Sequence, residues 1–194
     1  LDNAFEPEDL YDFEKRTFNK IKKQTLFYSC EPKIDGVAVS LIYEKGKFIK
    51  AGTRGDGEQG EDITHNVKTI KQIPLMLNGK NHPDKIEIRG EIYCEKTAFD
   101  KFNKEYAKSG QKTFANPRNF VAGSIRQLNP EIAAARPLKI QLHSLGYVDQ
   151  KNFFKSHQEM LNTFLSWNLP INPDTELVNS IEEVISYCDR LTNK

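Results

Sequence analysis

Lys33 is the residue whose setting in this sequence best suits a nucleophile. It opens the run Lys33-Ile34-Asp35-Gly36, which follows an apolar and aromatic stretch at positions 26–31. A lysine amine becomes nucleophilic when burial or neighbouring cations lower its pKa. By itself this short pattern also describes a solvated turn lysine, so other polar segments must decide between the two interpretations.

Arg54 lies in a glycine-rich segment, positions 53–57, which is followed by Gly60-Glu61-Asp62. Glycine lets a backbone approach a ligand closely, and arginine can bind phosphate or ribose oxygens. A flexible surface loop has the same composition, and the segment alone fits both.

Glu87, Arg89 and Glu91 alternate with Ile88 and Gly90 in the stretch 85–94. A strand places such alternating residues on one face. Three charges on one face indicate either solvent or the polar floor of a cleft, where a carboxylate can accept ribose hydroxyls or hold a metal ion.

Arg118 and Arg126 belong to two further polar segments, positions 114–119 and 123–128. They are eight residues apart, so a helix places them near one face. Two such arginines can position phosphates. They can equally form ion pairs within the chain.

The elements that must hold these residues are mixed in type. Apolar periodicity predicts helices over 6–23, 97–108 and 153–167 and from Ser180 to about Leu191, and strands over 26–31, 37–43, 48–53, 85–94 and 138–148. Thr97 with Asp100, and Ser180 with Glu183, fit capping boxes, and Ser109-Gly110 ends the second helix. A hairpin without regular strand–helix alternation favours the α+β class.

Composition excludes several classes of protein. Lys and Arg number 28 against 27 Asp and Glu, so the net charge of +1 gives no overall signal for nucleic acid. The three cysteines are far apart and form no C-x-x-C pair, which argues against a disulfide framework and a zinc site and fits a reducing cytoplasm. We find no apolar run of about 18 residues and therefore expect no membrane span.

In order and spacing, the four polar segments resemble the adenylation (nucleotidyltransferase) domain of the NAD-dependent DNA ligases of bacteria. Positions 1–5, 170–173 and 181–184 extend the resemblance over almost the whole chain. The segments 114–119 and 123–128 are typical of the NAD-dependent branch. ATP-dependent ligases and capping enzymes share only the Lys-x-Asp-Gly pattern.

The resemblance implies that Lys33 attacks the α-phosphate of NAD, releases nicotinamide mononucleotide and carries AMP for strand sealing in DNA replication and repair. It implies a set of cofactor contacts: Glu31 at the adenine amine, Asp35 and Gly36 at the turn and the metal environment, Arg54 near ribose and phosphate, and Glu91 at the ribose hydroxyls. It also implies that Arg118 and Arg126 contact nicked duplex DNA. NAD and Mg²⁺ are the expected cofactors, with Zn²⁺ only in a region beyond this chain, and the expected state is a monomer.

The implied fold is a nucleotidyltransferase (ATP-grasp-like) core of antiparallel sheets flanked by helices, truncated at its C-terminal end. We expect a leading helical segment (1–24), a nucleotide-binding core (25–150) and a helical segment (151–194) in a fragment of a larger multidomain ligase. The family's later lysine motif and its nicotinamide-binding subdomain are not in this sequence, so we expect that this fragment alone cannot ligate.

One expected adenine contact has no clear counterpart. The family places a Tyr-Gly pair near position 143, where this chain has His143, Ser144 and, slightly later, Tyr147. The sequence leaves open which of them covers the adenine. Two other hypotheses remain beside the ligase: an ATP-dependent ligase or capping-type nucleotidyltransferase, and a non-catalytic nucleotide-binding fragment.

Overall fold

A computed structural model describes residues 3–21, 25–55 and 60–193. In chain order its elements are α1 (Pro7–Ile21), β1 (Tyr28–Cys30), β2 (Val37–Glu44), β3 (Lys47–Thr53), α2 (Thr64–Val67), β4 (Lys85–Tyr93), α3 (Lys96–Lys108), α4 (Pro117–Ile125), α5 (Pro130–Ala134), β5 (Lys139–Val148), α6 (His157–Ser166), β6 (Glu176–Val178) and α7 (Ile181–Thr192). This mixture of helices and antiparallel strands confirms the α+β class.

The chain divides into two compact units. One comprises Leu1–Pro32 and Pro173–Lys194, and the other Lys33–Asn172. In the first unit β1 pairs antiparallel with β6, and Tyr187 of α7 is buried beside these strands. The Tyr28 hydroxyl donates to Glu14 of α1 at 2.7 Å, which ties this helix to β1.

The second unit is built on an antiparallel sheet in the order β3-β2-β4-β5. One face of this sheet is the core, because its inward residues are at most 2% exposed: Val39, Leu41, Tyr43, Ile86, Ile88, Ile92, Ile140 and Leu142. Phe120, Val121 and Ile125 of α4 and Phe164 of α6 are fully buried in the same core. The other face of the sheet carries the polar side chains of β4.

Several elements match their predicted positions. The hairpin of β2 and β3 turns through Lys45 and Gly46, both with positive φ, as a two-residue loop requires. At the start of α7 the Ser180 Oγ accepts from the Glu183 N–H, which confirms that cap. Helix α3 ends at Ser109-Gly110. No helix in the described ranges is long and apolar enough to cross a bilayer.

Other elements differ from the prediction. Helix α3 begins at Lys96 after Glu95, so Thr97 lies inside the first turn and the predicted Thr97–Asp100 capping box is wrong. Helix α6 starts only at His157, because Ser156 caps it and the preceding Phe153 and Phe154 pack against Trp167. The predicted strand at 26–31 is shorter, and the last two residues of the helix predicted over 6–23 lie outside the described residues.

The cap of α6 makes a measurable contribution to stability. The Ser156 Oγ accepts from the Glu159 N–H at 3.1 Å, so Ser156→Ala should lower the free energy of unfolding by about 1 kcal/mol. Urea unfolding followed by fluorescence of Trp167, the single tryptophan, reports on this helix. The control Ser166→Ala, at the exposed end of α6, should change stability by less than about 0.5 kcal/mol. Equal losses in the two variants would contradict the capping role.

Candidate functional site

The segment that carries Lys33 presses closely against β4. Gly36 is buried, and a Cβ added to it would lie 2.1 Å from the Ile92 carbonyl oxygen. Only glycine permits this approach of one backbone to another. Lys33 and Asp35, which precede it, remain exposed.

The Glu91 carboxylate is the centre of a group of charged residues. It accepts a hydrogen bond from the Gly36 N–H, and Lys33, Asp35 and Arg118 all interact with it electrostatically. Burial raises the pKa of the Glu91 carboxyl, while the Gly36 N–H, Arg118 and Lys33 oppose that rise. A partly buried carboxylate beside two cations can accept hydroxyl hydrogens of a bound ligand.

Arg118 reaches this group from the first turn of α4. Asn116 caps the helix by accepting from the Asn119 N–H at 2.8 Å, and Pro117 occupies the first helical position. The Arg118 guanidinium lies 3.5 Å from the Asp35 carboxylate, and both side chains are mostly exposed. Such an exposed pair is worth at most about 1 kcal/mol, so Arg118 can exchange Asp35 for a phosphate at little cost.

Arg126 lies at the other end of α4, as the residue that caps it. Its guanidinium lies 2.6 Å from the Glu61 carboxylate, and both side chains are about half exposed. Both arginines therefore form the intramolecular ion pairs that the sequence left open, but with different carboxylates.

Arg54 is exposed immediately after β3. Beyond it, Asp56 and Gly57 lie outside the described residues. The chain returns to β3 at Glu61, where the Thr53 N–H donates to the Glu61 carbonyl and the Glu61 N–H donates to the Thr53 hydroxyl, both at 3.0 Å. These two hydrogen bonds hold Glu61 beside Thr53, the last residue of β3. Glu31, in the first unit, accepts from the Ser29 hydroxyl at 3.1 Å.

The alternation predicted for β4 is confirmed. Ile86, Ile88, Gly90 and Ile92 are buried, whereas Glu87, Arg89 and Glu91 are on the opposite face. Glu87 accepts from the Ser40 hydroxyl at 2.7 Å and from Arg89 Nε at 3.1 Å. The polar face is therefore an ordered, hydrogen-bonded surface.

A β-bulge marks β5 at His143. Gly90 pairs with Leu142 and Arg89 with Ser144, so His143 is an extra residue between them. Bulges redirect side chains and are frequent next to active sites. His143 and Tyr147 are both exposed, and Ser144 is half-buried.

Asn66 is a functional candidate that the sequence reasoning missed. Its Nδ2 donates to the carbonyls of Ile125 and Gln127, on both sides of Arg126. A detectable signal existed, because Asn66 stands among the apolar residues Ile63, Val67 and Ile70, where an amide must be buried.

A family model, that of the NAD-dependent DNA ligase adenylation domain, matches residues 1–194. This chain belongs to that family. It is 47% identical to a DNA ligase of Hahella chejuensis over 190 residues, which cover 96% of this chain and 28% of that protein. It is 45% identical over 192 residues to one of Coxiella burnetii (strain Dugway 5J108-111), covering 98% of this chain and 29% of that protein. It is 44% identical over 189 residues to a DNA ligase of Azotobacter vinelandii, covering 96% of this chain and 24% of that protein.

The adenylation domain therefore spans less than a third of the length of these curated relatives. Within its described residues no three His, Cys, Asp or Glu side chains form a group that could hold a metal ion. Mg²⁺ bound together with nucleotide phosphates needs only one or two carboxylates. Asp35 and Glu91, beside each other at the Lys33 segment, fit that smaller requirement.

The raised pKa of Glu91 makes stability depend on pH. The folded state holds the Glu91 proton more tightly than the unfolded state, so stability falls as pH rises from the ordinary carboxyl range through the raised pKa. The variant Glu91→Gln has no titrating group at position 91. It should therefore gain stability relative to the parent at pH 7, and the gain should shrink as pH falls to about 4.

Thermal unfolding at the two pH values tests this. Glu105→Gln, on the exposed surface of α3, removes the same charge without burial and serves as the control. The account of Glu91 is contradicted if the advantage of Glu91→Gln is larger at pH 4 than at pH 7.

Proposed function

We propose that this domain performs the first chemical step of an NAD-dependent DNA ligase, with Lys33 as the nucleophile. The observation that carries the proposal is the arrangement around Glu91, whose carboxylate binds the Gly36 N–H beside Lys33, Asp35 and Arg118. A nucleophilic amine, a carboxylate and a guanidinium in one place suit phosphoryl-type transfer, which depends mainly on positioning and charge neutralisation.

In the proposed step the deprotonated Lys33 amine attacks the α-phosphorus of NAD. A nitrogen–phosphorus bond forms, the bond from that phosphorus to the bridging oxygen breaks, and nicotinamide mononucleotide leaves with the electron pair. The amine proton passes to solvent. Arg118, which can release the exposed Asp35, would neutralise phosphate charge. Mg²⁺ held by Asp35 or Glu91 would add to that neutralisation.

We propose the remaining contacts with the cofactor from the family resemblance, and the exposure and contacts of Glu91, Gly36 and Arg54 support this proposal. Glu91 accepts the ribose hydroxyls, and Gly36 lets the backbone of the Lys33 segment approach β4 closely. Arg54, exposed at the end of β3, binds ribose and phosphate oxygens. Glu31, two residues before Lys33 in sequence, binds the adenine amine.

For the adenine ring we propose His143 as the covering side chain. The bulge redirects His143 on the strand that pairs with β4, and the residue is exposed. Ser144 has no ring, and Tyr147 pairs with Glu87, further along β4 from Glu91. An imidazole can stack on a base as other aromatic side chains do.

The later steps need DNA and the rest of a larger protein. AMP would pass from Lys33 to a 5′-phosphate at a nick, and a 3′-hydroxyl would displace it and seal the strand. Arg118 and Arg126, each exposed and each in a surface ion pair, are the proposed phosphate contacts. We place this activity in DNA replication and repair, in a monomer, and in the cytoplasm, consistent with three free cysteines.

A covalent adduct tests the nucleophile. The full-length protein that carries this chain, incubated with NAD and Mg²⁺, should gain AMP on Lys33, as detected by tandem mass spectrometry. Lys33→Arg keeps the charge but should lose the adduct, since a guanidinium is not a nucleophile at neutral pH. Lys45→Arg, in the hairpin turn, should be labelled normally. Labelling from ATP and not from NAD would contradict the proposal, as would labelling of Lys33→Arg.

Stacking by His143 predicts a change in the KM for NAD. His143→Ala should raise that KM about tenfold in the full-length protein, because a base loses an aromatic partner. His143→Phe should restore most of the affinity, and Tyr147→Ala should leave it unchanged. A rise in KM with Tyr147→Ala and not with His143→Ala would transfer the role to Tyr147.

A further inference from the structure

Asn66 is a buried amide that reaches across the unit to the turn that carries Arg126. It lies in α2 and is 5% exposed. Its Nδ2 donates to the Ile125 carbonyl at 2.7 Å and to the Gln127 carbonyl at 2.8 Å. Carbonyls at the end of a helix have no partner within it, so an outside donor must satisfy them. Asn66 thus binds the backbone on both sides of Arg126.

The chemistry of this contact requires asparagine among short side chains. Asp supplies no donor when ionised, and Ser or Thr supplies only one. The Asn66 Oδ1 has no hydrogen-bond partner in the described part of the chain, although it is buried. A buried acceptor without a partner is costly. The Asn66 amide therefore stabilises this structure only through the two hydrogen bonds that its Nδ2 donates in the described part of the chain.

Thr64, two residues before Asn66, makes hydrogen bonds to a different part of the unit. The Thr64 hydroxyl accepts from the Ala51 N–H at 2.9 Å and donates to the Asp62 carboxylate at 2.6 Å. These bonds hold residues 62–64 against β3, close in sequence to Arg54, which the proposed function assigns to the nucleotide. The bonds of the Asn66 side chain go to the end of α4 instead.

We propose that Asn66 is a positioning residue for Arg126 in the steps that use nicked DNA. The inference rests on the proposed function, because it takes Arg126 as a phosphate contact. Among the described residues, the Arg126 side chain is held by a half-exposed ion pair with Glu61. When a DNA phosphate replaces Glu61, the backbone of Arg126 stays fixed by Asn66, which lowers the entropic cost of binding.

The test separates the chemical steps in the full-length protein. Asn66→Ala removes both donors and Asn66→Ser keeps one. Lysyl-AMP formation from NAD should stay within about twofold of the parent in both variants, because the Thr64 contacts remain. Transfer of AMP to the 5′-phosphate of a nicked duplex should fall about tenfold to a hundredfold in Asn66→Ala, with a smaller loss in Asn66→Ser.

Two comparisons sharpen the result. Asn162→Ala, on the exposed surface of α6, should leave both steps unchanged. Asn66→Ala combined with Arg126→Ala should transfer AMP no more slowly than Arg126→Ala alone, because residues that act as a unit are not additive.

Several outcomes would overturn the inference. Normal AMP transfer by both Asn66 variants would do so, as would additive losses in the double variant. A parallel loss of lysyl-AMP formation, or unfolding of both variants in a thermal melt, would assign Asn66 to general stability alone. Normal sealing by Arg126→Ala would overturn the role of Arg126 as a phosphate contact, and with it this role of Asn66. Failure of the parent to form lysyl-AMP would instead overturn the proposed function itself.

Discussion

The hydrogen bond from the Gly36 N–H to the Glu91 carboxylate is the contact on which the proposed site depends. It exists because Gly36 has no side chain and can lie against the Ile92 carbonyl. With this contact formed, Lys33 and Asp35 are held beside β4, within reach of Arg118. A side chain at position 36 would push the segment away and separate the amine from the carboxylate.

The antiparallel sheet explains how one strand, β4, can serve both the core and the site. Ile88 and Ile92 of β4 are fully buried beneath α4, and Glu87, Arg89 and Glu91 alternate with them on the opposite face. Stability from apolar burial and the polar surface of the site therefore come from alternate residues of the same strand. Helix α4 links the core to the site. Its buried face packs in the core on the sheet, and Arg118 and Arg126 lie at its two ends.

Local patterns predicted much of the fold, whereas the roles of the site residues came from the family resemblance and stay predictions. The β2–β3 hairpin, the alternation of β4 and the Ser180 cap each depend on residues that are close in sequence, so their signals are local. Strand β6 escaped prediction because its three residues pair with β1, about 150 positions earlier. The Asn66 contact was missed for the same reason, since its partners are about 60 residues away. The Thr97 prediction was wrong because a capping pattern does not reveal which residue starts a helix.

The central claim is that Lys33 carries AMP while Glu91 holds the ribose. A crystal structure of the full-length protein after reaction with NAD tests it most directly. The account predicts continuous electron density from Lys33 Nζ to the phosphorus of AMP, with the ribose hydroxyls within hydrogen-bond distance of Glu91. AMP bound to another lysine, or a ribose remote from Glu91, would contradict it.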